Sequence, residues 1–380
     1  MSLPITQSQI PPEIIDLGAG EPNQSVFPLN MIHRAAEERF LQGDPSFLQY
    51  GAEQGDGYFR IALAKFLSKG YGLPMNPEDI FITAGISSAL DLLCTLFTQA
   101  GDTIFVEETT YFVAPKIFAD HHLKIVLIAM DENGLMIESL EENLKRFKPK
   151  FLYTISIHHN PTGSTLTDAR RARLIELAQQ FDFLILADEV YQLLSYTDDS
   201  PKPFGAHPDA NAENIISLGS FSKILAPGLR LGWIQARPQR IKRLVTSGLL
   251  DSGGGMNPFT SAIIRSVIEC GDLEKHVQHL IDTYRPRLQK MDSLLRQHLT
   301  DITYTVPQGG YFFWLRLPTQ IDANELRQQA KTFKVDFRQG GLFSSTGEAQ
   351  NYIRLCFAHY DEEQIEEGIM RLKECLQSNY

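Results

Sequence analysis

The chemistry of this chain concentrates around one lysine. Lys223 follows an apolar, strand-like run, Ile215, Ile216, Ser217 and Leu218, that breaks into Gly219. Ser220 and Ser222 flank it, and Pro227, Gly228 and Arg230 come before a second apolar run. A lysine amine can form a Schiff base with a carbonyl once nearby positive charge and partial desolvation lower its pKa. The hydroxyls and Arg230, with its fixed fork of donors, suit a phosphate on the same compound. An aldehyde that carries a phosphate and is held by one lysine describes pyridoxal 5'-phosphate (PLP). The plainer alternative is a surface loop whose basic residues are solvated.

Other stretches carry groups that complement such a compound. Across 80–97 an apolar strand turns at Gly85 into a helix, and the amides of Ile86 and Ser87 open that helix with unsatisfied donors. A helix start with its positive dipole end is a ready phosphate cradle. Asn160 precedes Pro161, which restricts its backbone and presents its side-chain amide reproducibly, so that it can donate to a phenolate oxygen. Asp188 ends the apolar run 183–187. A carboxylate buried there needs a cation to stay ionised, and a protonated pyridine nitrogen supplies one while keeping the ring an electron sink. Asp188 and Glu189 could be read as an acid–base pair, but neighbours on a strand point to opposite faces and do not share a proton. Tyr191, three residues on, can reach the ring's 3'-oxygen from the other side. His158 and His159 have no third ligand at a suitable spacing, so they read as solvated or packing residues and no metal is expected.

Three motifs stand in order: His159-Asn160-Pro161-Thr162-Gly163, Ala187-Asp188-Glu189-Val190-Tyr191, and Ser220-Phe221-Ser222-Lys223 with Pro227-Gly228-Leu229-Arg230-Leu231-Gly232. Together they resemble the signature of the class I/II aminotransferases, fold-type I PLP enzymes, from about residue 16 to the C-terminus. The resemblance implies an α/β fold with a large domain, 30–260, holding a mainly parallel seven-stranded sheet between helices. A smaller α+β domain would combine 1–29 with 261–380. Lys223 would be the catalytic residue and the covalent anchor of the cofactor. Asp188, Tyr191, Asn160, Gly85, Ile86, Ser87, Ser220, Ser222 and Arg230 would surround that cofactor. Tyr111 fits the position of the ring that stacks on the pyridine, although the usual proline before it is missing and Phe112 remains the other candidate. Tyr50 would reach the cofactor phosphate of the partner subunit in a homodimer. Arg354, in Arg-Leu-Cys-Phe, would bind the substrate α-carboxylate bidentately, joined by Asn160 and a backbone amide at Gly20.

The implied activity moves an amino group from an L-amino acid to a 2-oxo acid such as 2-oxoglutarate by a ping-pong route, with Lys223 carrying the proton. The stretch Gly-Gly-Tyr-Phe-Phe-Trp at 309–314 points to the subgroup acting on 2-aminoadipate, kynurenine and aromatic amino acids. A PLP-dependent C–S β-lyase or a cyclopropane-forming synthase would share every cofactor contact. A non-catalytic ligand sensor would carry an added basic DNA-binding domain, for which little room precedes Asp16. Arg338 replaces a residue that is more often proline in the family, and its reading of a distal carboxylate stays open.

These groups need elements to position them. The runs 124–130, 151–156 and 183–189 are near-continuously apolar, with amphipathic stretches 136–147 and 167–181 between them. That alternation reads as a parallel sheet covered on both faces, with loops at the strand ends left to build a site. Thr167 is a candidate N-cap. Downstream, 272–299 reads as a long amphipathic helix with a kink or boundary at Pro286, followed by strands at 302–307, 309–318 and 353–358. The triple glycine Gly253 to Gly255 reads as a linker or as an approach to a neighbouring subunit. The 380 residues are 43% hydrophobic with a net charge of −11, which argues against nucleic acid as a partner. Four scattered cysteines without a CxxC spacing argue against zinc and disulfides. No basic segment with an apolar core opens the chain, and no apolar run is long enough for a bilayer, so a soluble, cytoplasmic protein without membrane partners is expected.

Overall fold

The structure is a computed structural model describing residues 6–7, 9–197, 201–206, 213–344, 346–347 and 349–378. Seven strands make its main sheet: β1 (Ile80–Thr83), β2 (Thr103–Glu107), β3 (Lys124–Ile128), β4 (Phe151–Thr154), β5 (Leu184–Asp188), β6 (Ile215–Ser220) and β7 (Gly232–Ala236). Their spatial order is β1-β7-β6-β5-β4-β2-β3. Only β7 runs antiparallel to its neighbours. Strands β4, β5 and β6 are buried at every position, which is why their sequences are apolar without alternation.

The sheet's two faces are distinguishable residue by residue. Ile104, Val106, Tyr153, Leu186, Ile216 and Leu218 pack with Leu90, Leu93 and Cys94 of helix α1 (Ile86–Phe97). The alternate positions Phe105, Leu152, Ile185, Ala187 and Ile215 pack with Leu174, Ile175 and Ala178 of helix α2 (Asp168–Phe181). Thr167 caps α2, its side chain accepting the Arg170 N–H at 3.4 Å, as its hydroxyl predicts.

A second antiparallel sheet joins β8 (Phe312–Arg316), β9 (Arg338–Gln339) and β10 (Tyr352–Cys356) in the order β8-β10-β9. The N-terminal pair Ile15–Asp16 runs parallel to Val335–Asp336, so the start of the chain is seated beside its end.

Several local expectations differ from the structure. Pro286 is not a boundary: helix α3 (Asp272–His298) runs through it. The missing hydrogen bond costs about 3 kcal/mol, and a buried stripe including Leu273, Val277, Leu280, Tyr284, Leu288 and Met291 outweighs that. The strand expected at 302–307 reduces to one bridge, Thr303 to Arg316. The triple glycine is a close contact rather than a linker: Gly255 bridges Gly51, and a Cβ there would stand 1.8 Å from the Ala52 carbonyl. Among the described residues no helix is long and apolar enough to cross a membrane.

Candidate active site

Strand β6 ends at Ser220, and the turn beyond it presents Lys223. The amine donates to the Gly20 carbonyl at 2.9 Å, and the Tyr311 hydroxyl donates to the Lys223 carbonyl at 3.0 Å. The rings of Tyr311 and Tyr191 lie 5.4 and 6.0 Å from Nζ. Desolvation in this half-buried place, helped by the Arg354 charge, lowers the amine's pKa from 10.5 to about 8. Ser220 Oγ donates to Ser222 Oγ at 2.9 Å and accepts the Ser222 N–H at 3.1 Å.

Beside this turn Gly85 adopts φ 89°, which an L side chain resists, and an added Cβ would stand 2.9 Å from Arg230 Nη2. Arg230 donates from Nη2 to the Ala84 carbonyl at 3.2 Å. The guanidinium therefore sits at the start of α1, where Ile86 and Ser87 begin the helix and no side chain caps it. The buried Thr83 Oγ1 nearby has no partner among the described residues. A helix start, a guanidinium and small hydroxyls together form an anion pocket.

Asp188, only 5% exposed, receives the Tyr153 hydroxyl on Oδ2 at 2.8 Å. Burial pushes its pKa up to about 6, against the hydrogen bonds from Tyr153 and Val190. No cation pairs with it among the described residues. Glu189 takes a different set of donors, Ser217 Oγ at 2.5 Å, the Phe204 N–H at 2.7 Å and Ser156 Oγ at 3.2 Å, so the two carboxylates share no partner. His158 and His159 are each 1% exposed and therefore packed, not solvated. His159 Nε2 meets Glu107 Oε2 at 3.1 Å, while burial holds the pKa of His158 down at about 3. Among the described residues no cluster of three His, Cys, Asp or Glu could hold a metal.

Tyr191 is buried, edge-on to Tyr311 at 5.2 Å and to Phe312 at 5.9 Å. Burial raises the pKa of the Tyr111 hydroxyl, and the charge of Asp188 adds to the rise. Phe112 instead turns to Phe343 at 5.4 Å and to the Lys116 amine at 6.0 Å.

Strand β10 supplies Arg354, 3% exposed in its middle. Nη1 donates to Asn160 Oδ1 and Nη2 to the Gly18 carbonyl, both at 2.8 Å. Its guanidinium carbon lies 4.0 Å from the Phe312 ring centre and 4.9 Å from that of Phe343. Nε is buried without a partner among the described residues, and burial pulls the guanidinium's pKa down to about 10. Gly20 is adjacent, since a Cβ there would lie 3.2 Å from Nη2. In this form its carbonyl, not its amide, is engaged. Arg338 is committed elsewhere, in a bidentate pair with Asp16 at 3.0 and 2.9 Å. Tyr50 stands 81% exposed, and no hydrogen bond or ring contact among the described residues joins it to the others.

The structure adds residues that the sequence reading passed over. Tyr153 is fully buried on β4, and a buried phenol needs a partner for its hydroxyl. Glu107, at the end of β2, accepts from Thr154 Oγ1 at 2.6 Å and the Ile155 N–H at 2.9 Å, tying that strand end to the His159 loop. A charge closing an apolar strand was the available signal for it. Tyr311 and Phe312 lay within a stretch read for its general character only. A cleft of about 650 Å³, lined in part by Thr162, Trp314, Arg316 and Tyr352, lies beside this site rather than at it.

The donor set fits a phosphorylated pyridine aldehyde: an unpaired buried carboxylate, an uncapped helix start beside a guanidinium, and a desolvated amine. The family model described as Aminotransferase class I and II matches residues 12–372. The chain is 36% identical over 371 residues to the aromatic-amino-acid aminotransferase 1 of Thermococcus litoralis, covering 96% of this chain and 88% of that relative. It is 30% identical over 369 residues to the 2-aminoadipate transaminase of Thermus thermophilus, covering 96% and 90%. A kynurenine aminotransferase from Pyrococcus horikoshii, solved in complex with PMP, superposes with a TM-score of 0.89 at 34% identity, covering 97% of this chain and 91% of that one. With that likeness along nearly its whole length, the chain belongs to the class I and II aminotransferases and is a PLP-dependent transaminase of fold type I.

Proposed function

We propose that this site takes the amino group from an L-amino acid with a large, aromatic or 2-aminoadipate-like side chain and passes it to a 2-oxo acid such as 2-oxoglutarate, by a ping-pong route. The carrying observation is convergence: Lys223 and Arg354 donate to one short segment, at Gly20 and Gly18. When bound, PLP supplies the electron sink that makes the substrate's α-proton removable. Arg354 binds the substrate carboxylate, which finds the unpartnered Nε and the neighbouring Gly20 backbone. Asn160 holds Arg354 by Nη1, and with Tyr191 it would hold the ring's phenolic oxygen. The Lys223 amine, with its pKa near 8, takes and returns the α-proton at Nζ. Asp188 would pair with the protonated pyridine nitrogen, and Tyr111 would supply the ring that stacks on the pyridine. Gly85, Ile86, Ser87, Ser220, Ser222 and Arg230 anchor the phosphate.

The rings of Phe312 and Phe343 against Arg354 favour a substrate with an apolar or aromatic side chain. The domains divide as 30–260 and 1–29 with 261–380, since the seven-stranded sheet lies in the first and the N-terminal strand pairs within the second. A second copy of the chain covers exposed Leu29, Leu41, Tyr58, Ile61 and Phe259 and brings Tyr50 to the partner's phosphate pocket. Four scattered cysteines without a CxxC spacing suit the cytoplasm.

A panel of amino donors with 2-oxoglutarate, read by the cofactor's absorbance, tests this reading. Aromatic donors should turn over in wild type and none in Lys223→Ala. Release of ammonia and pyruvate without any oxo acid would refute it, and a fully active monomer in sedimentation would remove the Tyr50 role.

A further inference from the structure

Asp16 is 7% exposed and lies at the base of the segment 16–20, which crosses beneath both site cations. Its Oδ1 accepts the Gly18 N–H at 2.9 Å and Arg338 Nη1 at 3.0 Å, and Oδ2 accepts Arg338 Nη2 at 2.9 Å. The Asp16 N–H donates to the Tyr360 hydroxyl at 2.9 Å. Further along, the Leu17 carbonyl accepts the Cys356 N–H at 2.6 Å. The Gly18 carbonyl then takes Arg354 Nη2, and the Gly20 carbonyl takes Lys223 Nζ. Gly18 lies so flat on the neighbouring strand that a Cβ would stand 2.6 Å from the Phe337 carbonyl carbon and 2.7 Å from the Arg338 nitrogen.

Arg338 and Arg354 are direct partners in the β9–β10 register, two guanidiniums on adjacent strands. Asp16 neutralises the first. Of these two, only Arg354 then remains without a carboxylate partner among the described residues. Were Arg338 to turn to a substrate, it would leave a buried carboxylate unpaired, which is a heavy penalty.

We propose that Arg338 is a positioning residue: its fork on Asp16 seats the strap 16–20, which sets Arg354 and Lys223, and it does not read the substrate's distal group. The proposal rests on Arg354 receiving the carboxylate. It implies that losing Arg338 weakens all carboxylate ligands alike, whatever their side chain, because the fault lies under the shared end.

The test uses PLP-loaded Arg338→Met, Arg338→Lys, Asp16→Asn and the double variant Asp16→Asn/Arg338→Met. The probes are 3-phenylpropanoate and glutarate, unreactive carboxylates without and with a distal anion, with affinity measured by calorimetry. Hydrogen exchange of the amides of residues 17–20 is followed without ligand. In Arg338→Met these amides should exchange about tenfold faster, and both probes should bind about tenfold more weakly, the size of one charge-assisted contact. Arg338→Lys should recover part of both effects, and the double variant should be no worse than Arg338→Met. If Arg338→Met does not fold, Asp16→Asn supplies the same exchange comparison. Unchanged exchange overturns the proposal, and so does a loss confined to glutarate, which would make Arg338 a reader of distal carboxylates. Arg354→Met separates the two readings: wild-type binding of both probes there would sink the carboxylate assignment, while the exchange data still judge the strap.

Discussion

Changing Tyr153→Phe removes one hydroxyl from a buried place, the donor 2.8 Å from Asp188 Oδ2. A hydrogen bond to an ionised group contributes about 1.5–3 kcal/mol. At about 1.36 kcal/mol per pKa unit, that is about 1–2 units. The phenol favours the ionised carboxylate, so its loss moves the titration upward, from about 6 in the wild type to about 7–8. At pH 7 a 1.5-unit rise lowers the ionised fraction from about nine-tenths to about one-quarter. Apparent affinity for a protonated pyridine should then drop about fourfold. The carboxyl stretch in the infrared spectrum of cofactor-free protein, assigned by its absence in Asp188→Asn, gives the midpoint directly. PLP affinity should differ between wild type and variant at pH 7, and the deficit due to protonation should vanish at pH 9. A midpoint that stays put or falls would show that the phenol does not serve the ionised form, and the reasoning would fail.

Cofactor-free protein should react with an amine-directed acylating reagent at Lys223 with a midpoint near pH 8 rather than 10.5, because desolvation releases the proton early; peptide mapping reads the site, and a midpoint near 10.5 would contradict the burial argument. Gly85→Ala forces a side chain into a positive-φ turn 2.9 Å from Arg230, and the strain of about 1–3 kcal/mol should weaken PLP binding roughly 5- to 100-fold in a fluorescence titration. Gly255→Ala drives a Cβ against the Ala52 carbonyl, so the loops 50–55 and 253–257 should part and the melting temperature should fall by several degrees; calorimetry at unchanged melting temperature would dismiss the contact.

Much of the fold was legible because β4, β5 and β6 are buried on both faces and so write themselves as apolar runs, with amphipathic helices between them. The motif residues were legible because they close those runs at one end of the sheet, where Asp188 and Ser220 both sit. Tyr153 was hidden for a physical reason. It meets Asp188 only because β4 and β5 are parallel neighbours with Tyr153 opposite Leu186, two residues before the aspartate on the same face. Nothing in either stretch alone states that pairing. The contact of Glu107 with His159 was hidden in the same way, because it joins the end of β2 to the loop after β4, whose adjacency comes from the sheet order. Pro286 misled because a local penalty was weighed without the long buried stripe that opposes it.

The bond from Asp16 to Tyr360 joins positions 344 residues apart. The strap therefore gains its Tyr360 partner only after translation has passed that residue. Until then the Gly18 and Gly20 carbonyls that Arg354 and Lys223 grip sit on a segment its later partners do not yet hold.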